Sequence, residues 1–237
     1  MSAVIKENFS QSRQKLIQIR ARYLQLELWN QRHELWGNAS DMTPIDVLQP
    51  GVATRLQGFK MESRDFIGNV WDRGRHVEVA GQLDRTNRTV LISSRYPRAV
   101  QNFTSAHELG HLLLHPNLDI MHRELPLDGP GQQRSWEERE ADWFASEFLM
   151  PEKQLRKEFA LRFGAGKFHL TDDTAFALCQ ASVSSVMLRC RCVRDISFLL
   201  AEANAFGGVS FASLAKLFNV SSKAMAIRLD QLVLVAG

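Results

Sequence analysis

The alternation of apolar and polar positions divides the chain into a helical, a strand-like and again a helical stretch. Over the first 36 residues Leu16, Ile19, Tyr23 and Leu26 recur at helical spacing, with Arg13, Arg20, Arg22 and Glu27 on the remaining faces. The spacing predicts one long helix, ended by the turn chemistry of Gly37-Asn38-Ala39-Ser40. It reads as a packing or solubilising element, with a partner-docking arm as the alternative. Residues 44–58 predict a second helical stretch through Ile45, Val47 and Leu48, interrupted at Pro50-Gly51. Beyond Gly58 the period shortens. Phe59 with Met61, Phe66-Ile67, His76 to Val79 and Thr89 to Ile92 are short runs between Gly, Asp and Asn clusters, and read as strands. Asp84 to Arg88 reads as the hairpin turn between the last two runs, although it lacks an Asn-Gly or Asp-Gly pair.

Helices are expected again at about 103–115 and 135–149, the second ended by Pro151, with a loop rich in Pro, Gly and Gln at 116–134 between them. From 152 to 237 the pattern is helical, with breaks at Gly164-Ala165-Gly166 and Gly207-Gly208. A small antiparallel sheet with helices around it makes the expected class α+β. The expected organisation is an N-terminal helix (1–40), a core (41–160) and a C-terminal helical region (161–237).

Composition narrows the function only a little. The 237 residues are 45% hydrophobic, ordinary for a globular chain that buries a core. No run approaches the ~18 apolar residues of a membrane span, which argues against an integral membrane protein and a membrane partner. The N-terminus lacks the apolar stretch of a signal peptide, and three cysteines do not make a disulfide scaffold, so a cytoplasmic setting is expected. A net charge of +3 with scattered basic residues neither demands nor excludes nucleic acid.

Chemistry concentrates in two places. His107-Glu108-Leu109-Gly110-His111 is an H-E-x-x-H pattern inside a predicted helix. Residues i and i+4 share one helical face about 6 Å apart, so both imidazoles can close on one metal ion. Glu108, beside the first ligand, is placed to take a proton from water rather than to bind metal. Zinc is the expected ion, because imidazoles with a carboxylate and an open position form a catalytic zinc set. A surface helix with two histidines is the plainer reading. Leu109, Leu112, Leu113 and Leu114 weigh against it, since buried histidines beside a glutamate are costly without a metal.

A catalytic zinc needs a third protein ligand. His115 continues the series 107, 111, 115, but three residues spaced one turn apart line up along a helix axis and cannot surround a tetrahedral ion. His115 therefore reads as a helix-end or pocket-wall residue. The segment Trp136 to Ala145 is the better source. Glu138 and Asp142 are i and i+4 and share a stripe with Ala141, Ala145 and Leu149, whose small alanines permit close helix approach. Glu138 could reach the metal while Asp142 hydrogen-bonds the far nitrogen of a ligating histidine. Ser135 with Glu138 also spells a capping box, and Glu137 and Glu140 are rival ligands about 100° round the helix in either direction. Spacing alone leaves the three glutamates open.

The segments NFTSAHELGHLLLH at 102–115 and EEREADWFASEFLMPE at 137–152 resemble the ImmA/IrrE family of zinc metallopeptidases. The resemblance covers roughly residues 45–160, and 210–235 more loosely. It implies a gluzincin-like core in which His107, His111 and Glu138 are zinc ligands and Glu108 is the catalytic base. Asp142 stands where the family often has Asn, and either residue can orient a histidine. The resemblance further implies a cytoplasmic protease that cleaves a helix-turn-helix transcriptional repressor and so relieves repression. For the oxyanion donor that hydrolysis needs, Arg95, Tyr96, His115 and His122 are the candidates. Ser105 and Glu108 also spell a capping box, which a glutamate aimed at the site cannot serve.

Residues 208–234 read as a helix-turn-helix. Leu214, Ala215 and Phe218 form an apolar face, Asn219-Val220-Ser221 a turn, and Met225, Arg228 and Leu229 continue at helical spacing. The exposed positions expected on its second helix, Ser222, Lys223 and Arg228, are too few for strong phosphate neutralisation, which argues against direct DNA binding. A role in packing or in holding the substrate is the preferred reading. Arg228 also falls where such a motif usually has an apolar residue. Cys179, Cys190 and Cys192 with His169 read as buried free thiols rather than a second metal site. Trp136, Trp143 and Phe144 read as core or pocket wall. The competing function is a non-proteolytic regulator acting through the helix-turn-helix or a zinc-bearing sensor surface. The intact H-E-x-x-H set favours the peptidase, because such a regulator has no use for Glu108.

Overall fold

A computed structural model describes residues 2–72, 74–117, 121–124 and 135–236. It is α+β, and the chain divides into two compact units, Met1–Leu149 and Met150–Gly237.

The first unit begins with helices α1 (Ser2–Asn30) and α2 (Arg32–Trp36), separated at Gln31. The stripe expected to pack, Leu16, Ile19, Tyr23 and Leu26, is exposed. Ile17, Ala21, Leu24 and Leu28 are buried instead. The helix carries apolar residues on two faces, so periodicity alone does not choose between them. Residues 44–47 form turns rather than helix, and α3 (Pro50–Leu56) starts at the proline expected to interrupt it. Proline is at home at a first helical position, where its missing N–H has no partner to lose and its φ is already helical.

The strands are β1 (Lys60–Arg64), β2 (Asn69–Asp72), β3 (Arg75–Glu78), β4 (Gly81–Asp84) and β5 (Thr89–Ser93). After α4 (Arg98–Leu114) comes β6 (Met121–Glu124). One sheet has the order β1-β5-β4-β6, with β1 parallel to β5 and the other pairs antiparallel; β2 and β3 form a separate hairpin. The expected antiparallel sheet thus contains one parallel pair. Phe66-Ile67 is loop. The turn at 85–88 joins β5 to β4 rather than to the 76–79 run, and Asp84 shapes it by accepting bonds from the backbone and side chain of Asn87. Of the loop expected at 116–134, residues 118–120 and 125–134 lie outside the described residues.

Leu83, Val90 and Ile92 form the sheet's inner face, joined by Phe59, Met61 and Leu112. Helix α5 (Trp136–Leu149) packs against both α4 and α1. A Cβ added at Gly110 would sit 3.1 Å from the Ala141 Cα and 3.3 Å from the Phe144 Cβ, so glycine against alanine sets how closely α4 and α5 approach. Gln25 ties α1 to the end of α5 by donating to the carbonyls of Glu147 and Phe148. Phe144 is buried and Trp143 half-buried, but Trp136 is exposed, contrary to its expected place in a core or pocket wall.

The second unit holds α6 (Glu152–Phe163), α7 (Asp172–Cys179), α8 (Val183–Arg189) and α9 (Val193–Glu202), then a hairpin of β7 (Ala205–Phe206) and β8 (Val209–Ser210), and last α10 (Leu214–Leu217) and α11 (Ser222–Gln231). Gly207-Gly208, expected as a helix break, turns that hairpin; both residues have positive φ, 57° and 82°, which glycine adopts without strain. Phe163 anchors an aromatic cluster with Phe159, Phe168, Phe206 and Phe211, its ring centroids 4.9–6.2 Å from theirs. Helices α10 and α11 occupy the predicted helix-turn-helix, with Asn219 at φ 50° in the turn and Ser221 capping α11 through the Ala224 N–H. Asp230 of α11 accepts from Arg194 and Ser197 of α9.

Arg228, expected at the surface, is buried and donates to the carbonyl of Met150. It fills the apolar position through its aliphatic stem while its head satisfies a backbone acceptor. Cys190 ends α8 and Cys192 precedes α9. Only Cys190 is buried; Cys179 is half-buried and Cys192 exposed. Among the described residues no helix is long and apolar enough to cross a membrane.

Candidate metal centre

The site lies where α4 meets α5. Pro97 precedes the first residue of α4, and the helix runs unbroken through Phe103, Ala106 and Leu109, which are buried. That burial fixes the rotation of the helix and carries His107 and His111 inward. Ser105 sits mid-helix and donates back to the Gln101 carbonyl at 2.7 Å, so the capping box read at Ser105 and Glu108 does not form. On α5 the Ser135 hydroxyl accepts the Glu138 N–H at 3.3 Å. Capping by Ser135 and an inward carboxylate at Glu138 therefore coexist.

The Nε2 atoms of His107 and His111 lie 2.9 Å apart, and each is 3.4 Å from a carboxylate oxygen of Glu138. Bonds of about 2.0–2.1 Å from one tetrahedral centre set donor separations of about 3.3 Å. The three donors fit that requirement, and their nitrogen and carboxylate chemistry suits zinc. Among the described residues, His107, His111 and Glu138 are the one group of three His, Cys, Asp or Glu residues close enough to share an ion. The arrangement distinguishes the three glutamates. Glu138 faces the histidines, Glu137 is exposed, and Glu140 is buried behind them.

The partners of the far nitrogens differ. His107 Nδ1 lies 2.9 Å from the Asp142 carboxylate. His111 Nδ1 lies 3.0 Å from Nδ1 of His115, whose Nε2 is 3.0 Å from Glu140. Arg13 of α1 clamps Glu140 with two bonds of 2.8 and 2.7 Å. Burial lowers the His115 pKa, outweighing the pull of Glu140. Burial also pushes the Glu140 carboxyl upward, but the bonds from Arg13 and His115 together leave it below its ordinary value. A neutral imidazole thus meets an ionised carboxylate.

Glu108 is fully buried on the strand side of α4. A Cβ at Gly81 of β4 would come within 2.5 Å of Thr104 Cγ2 and 2.7 Å of Glu108 Oε1, so only glycine lets β4 pass this close. Arg85, just after β4, donates from Nη2 to the carbonyls of His111 and His115, both at 2.8 Å, and closes the C-terminal end of α4. Burial lowers the pKa of this guanidinium.

Sequence reasoning missed Arg13, Gly81 and Arg85. Gly81 alone left a signal, as an isolated glycine just before the turn at 85–88. Of the oxyanion candidates, Arg95 pairs with Asp65 and Glu78 and lies over Phe66. Tyr96 donates to the Glu78 carbonyl, its pKa raised by burial and then by the Glu78 charge. His115 is engaged as described, and the side chain of His122 lies outside the described residues.

Residues 72–164 match the family model Peptidase_M78, described as the IrrE N-terminal-like domain. The matched segment spans both helices of the site. Helix α1 and the segment 210–235 lie outside the match. No curated protein matches the chain.

Proposed function

We propose that the chain is a zinc-dependent endopeptidase of the cytoplasm that cleaves a helix-turn-helix transcriptional repressor. The observation that carries the reading is the convergence of two H-E-x-x-H imidazoles and Glu138 on one point, with Glu108 buried beside them in a Peptidase_M78 domain. The repressor as substrate rests on the resemblance of 102–115 and 137–152 to the ImmA/IrrE family.

His107 and His111 would hold zinc through Nε2, and Glu138 through its carboxylate. Zinc bound there supplies Lewis-acid polarisation of the scissile carbonyl and lowers the pKa of water. Glu108 accepts the proton of the attacking water and returns it to the leaving amine. Asp142 accepts from His107 Nδ1 and so keeps the Nε2 lone pair turned inward.

The test uses a small helix-turn-helix protein encoded beside this chain as substrate. Glu108→Gln is expected to slow its cleavage by about 10²–10⁴-fold, the usual contribution of a positioned proton-transfer group. Zinc should stay near one equivalent, and Glu138→Ala should lose it. Cleavage unchanged in Glu108→Gln overturns the peptidase reading. Tight, salt-sensitive DNA binding by the intact chain would favour a regulator instead.

A further inference from the structure

The two histidines are oriented by different means. His107 Nδ1 meets a carboxylate directly, whereas His111 Nδ1 leads to one through a second imidazole. With His111 Nε2 as a ligand, its Nδ1 carries the hydrogen, so Nδ1 of His115 must accept. The His115 hydrogen then sits on Nε2 and points at Glu140 Oε2, 3.0 Å away. Glu140 in turn receives Arg13 Nε on one oxygen and Nη2 on the other. Each link of this chain pairs a donor with an acceptor, and it ends on an ion pair whose carboxylate is buried.

We propose that His115, Glu140 and Arg13 are positioning residues for His111, so that the N-terminal helix tunes the affinity of a metal site to which it contributes no ligand. The inference rests on the zinc reading above. It extends a known device, in which a carboxylate fixes the orientation and tautomer of a metal-bound histidine, by one imidazole. It also gives the Arg13–Glu140 pair a role beyond pinning α1 to α5. Such pinning needs no histidine at 115, yet His115 lies against the pair on one side and against His111 on the other.

The experiment uses the full chain, stripped of metal and titrated with Zn²⁺ against a chromophoric chelator, and with Co²⁺ followed by its visible absorption. His115→Phe should weaken Zn²⁺ binding by about 10–100-fold, the usual cost of losing such a partner. Glu140→Gln and Arg13→Gln should each weaken it by about tenfold. Arg13→Lys should recover part of that loss. The Co²⁺ band should shift in each weakened variant. Arg13 is one-third exposed, so its substitution does not disturb the core and guards against misfolding as the cause.

The decisive comparison is the double variant. If the residues act through one chain, Arg13→Gln adds little to the loss already caused by His115→Phe. Wild-type affinity in all the single variants, with only the metal-free protein unfolding more easily, overturns the relay and leaves a helix-pinning ion pair. Additive losses in the double variant also overturn it. A wild-type chain that takes up no Zn²⁺ overturns the zinc reading itself, and that outcome is distinct from either.

Discussion

Each unit buries a charged residue at a helical position where the amphipathic pattern has no place for one. Besides Glu108 of α4, the first unit buries Glu140 of α5 in this way, and the second buries Arg228 of α11. Glu140 is met by two charged or polarised side chains, one of which touches the metal centre. Arg228 donates to a main-chain carbonyl, and its guanidinium also approaches the side chain of Gln231. The first arrangement links side chains into a chain that leads to chemistry. The second ties α11 to a main-chain carbonyl just ahead of α6. A buried charge is therefore informative only through its partners, and the anomaly in sequence looks alike in both cases.

The comparison breaks most readily at Arg228. If Arg228 packs α11, Arg228→Ala leaves a cavity and an unmet Met150 carbonyl, and should cost about 3–5 kcal/mol of stability. Arg228→Met keeps most of the volume and loses the donor, and should cost about 1–2 kcal/mol. Denaturant titration measures both. Zinc per chain should hold in each, because all three ligands lie in the first unit. Were Arg228 displayed to a nucleic-acid or protein partner, neither substitution would move the unfolding midpoint.

What was legible in sequence follows the range of the interactions involved. Helices α4 and α5 announce themselves through local periodicity and a closing proline. The i, i+4 pairs His107–His111 and Glu138–Asp142 are legible for the same reason. Strand β4 is not, since Gly81-Gln82-Leu83-Asp84 has one large apolar residue and exists as a strand because β5 and β6 pair on either side of it. The buried face of α1 was misread because two apolar stripes compete along it. Arg13 and Glu140 lie 127 residues apart, and nothing local joins them. Spacing could place the candidate metal ligands, but not the residues that stand behind them.

Gly81 tests the strand that packs against α4 at Thr104 and Glu108. Strand β4 is held by β5 and β6, with Gly81 opposite Ile92 and Glu124, so it cannot easily retreat from an added methyl. Thr104 or Glu108 must move instead. Gly81→Ala should therefore reduce peptide cleavage by about tenfold to a hundredfold, because small displacements of a catalytic group are costly. Zinc affinity should stay near wild type. A loss of both together would mean that the strand positions the whole helix rather than Glu108.

The smallest effect is expected in the second unit, at a half-buried carboxylate. Asp195 accepts from the backbone N–H groups of Arg191 and Cys192 ahead of α9. The Arg191 N–H is the largest cause of a pKa below the ordinary aspartate range; burial opposes it, and the bonds from Cys192 and the Arg191 charge add to it. A carboxylate whose folded pKa is depressed adds stability that is fully present above its unfolded pKa and is lost as pH falls through the folded one. Acid titration of the unfolding midpoint should show this as a modest decline that Asp195→Asn removes. At neutral pH the same substitution should lower the midpoint slightly, since the amide oxygen still accepts from the helix start but carries no charge toward its dipole. An acid limb equally steep in Asp195→Asn and wild type would assign the decline to other carboxylates. Glu140 is one of them, because its pKa is depressed too. The Asp195 contrast would then have to be repeated on a Glu140→Gln background, where a difference between Asp and Asn at 195 is no longer masked.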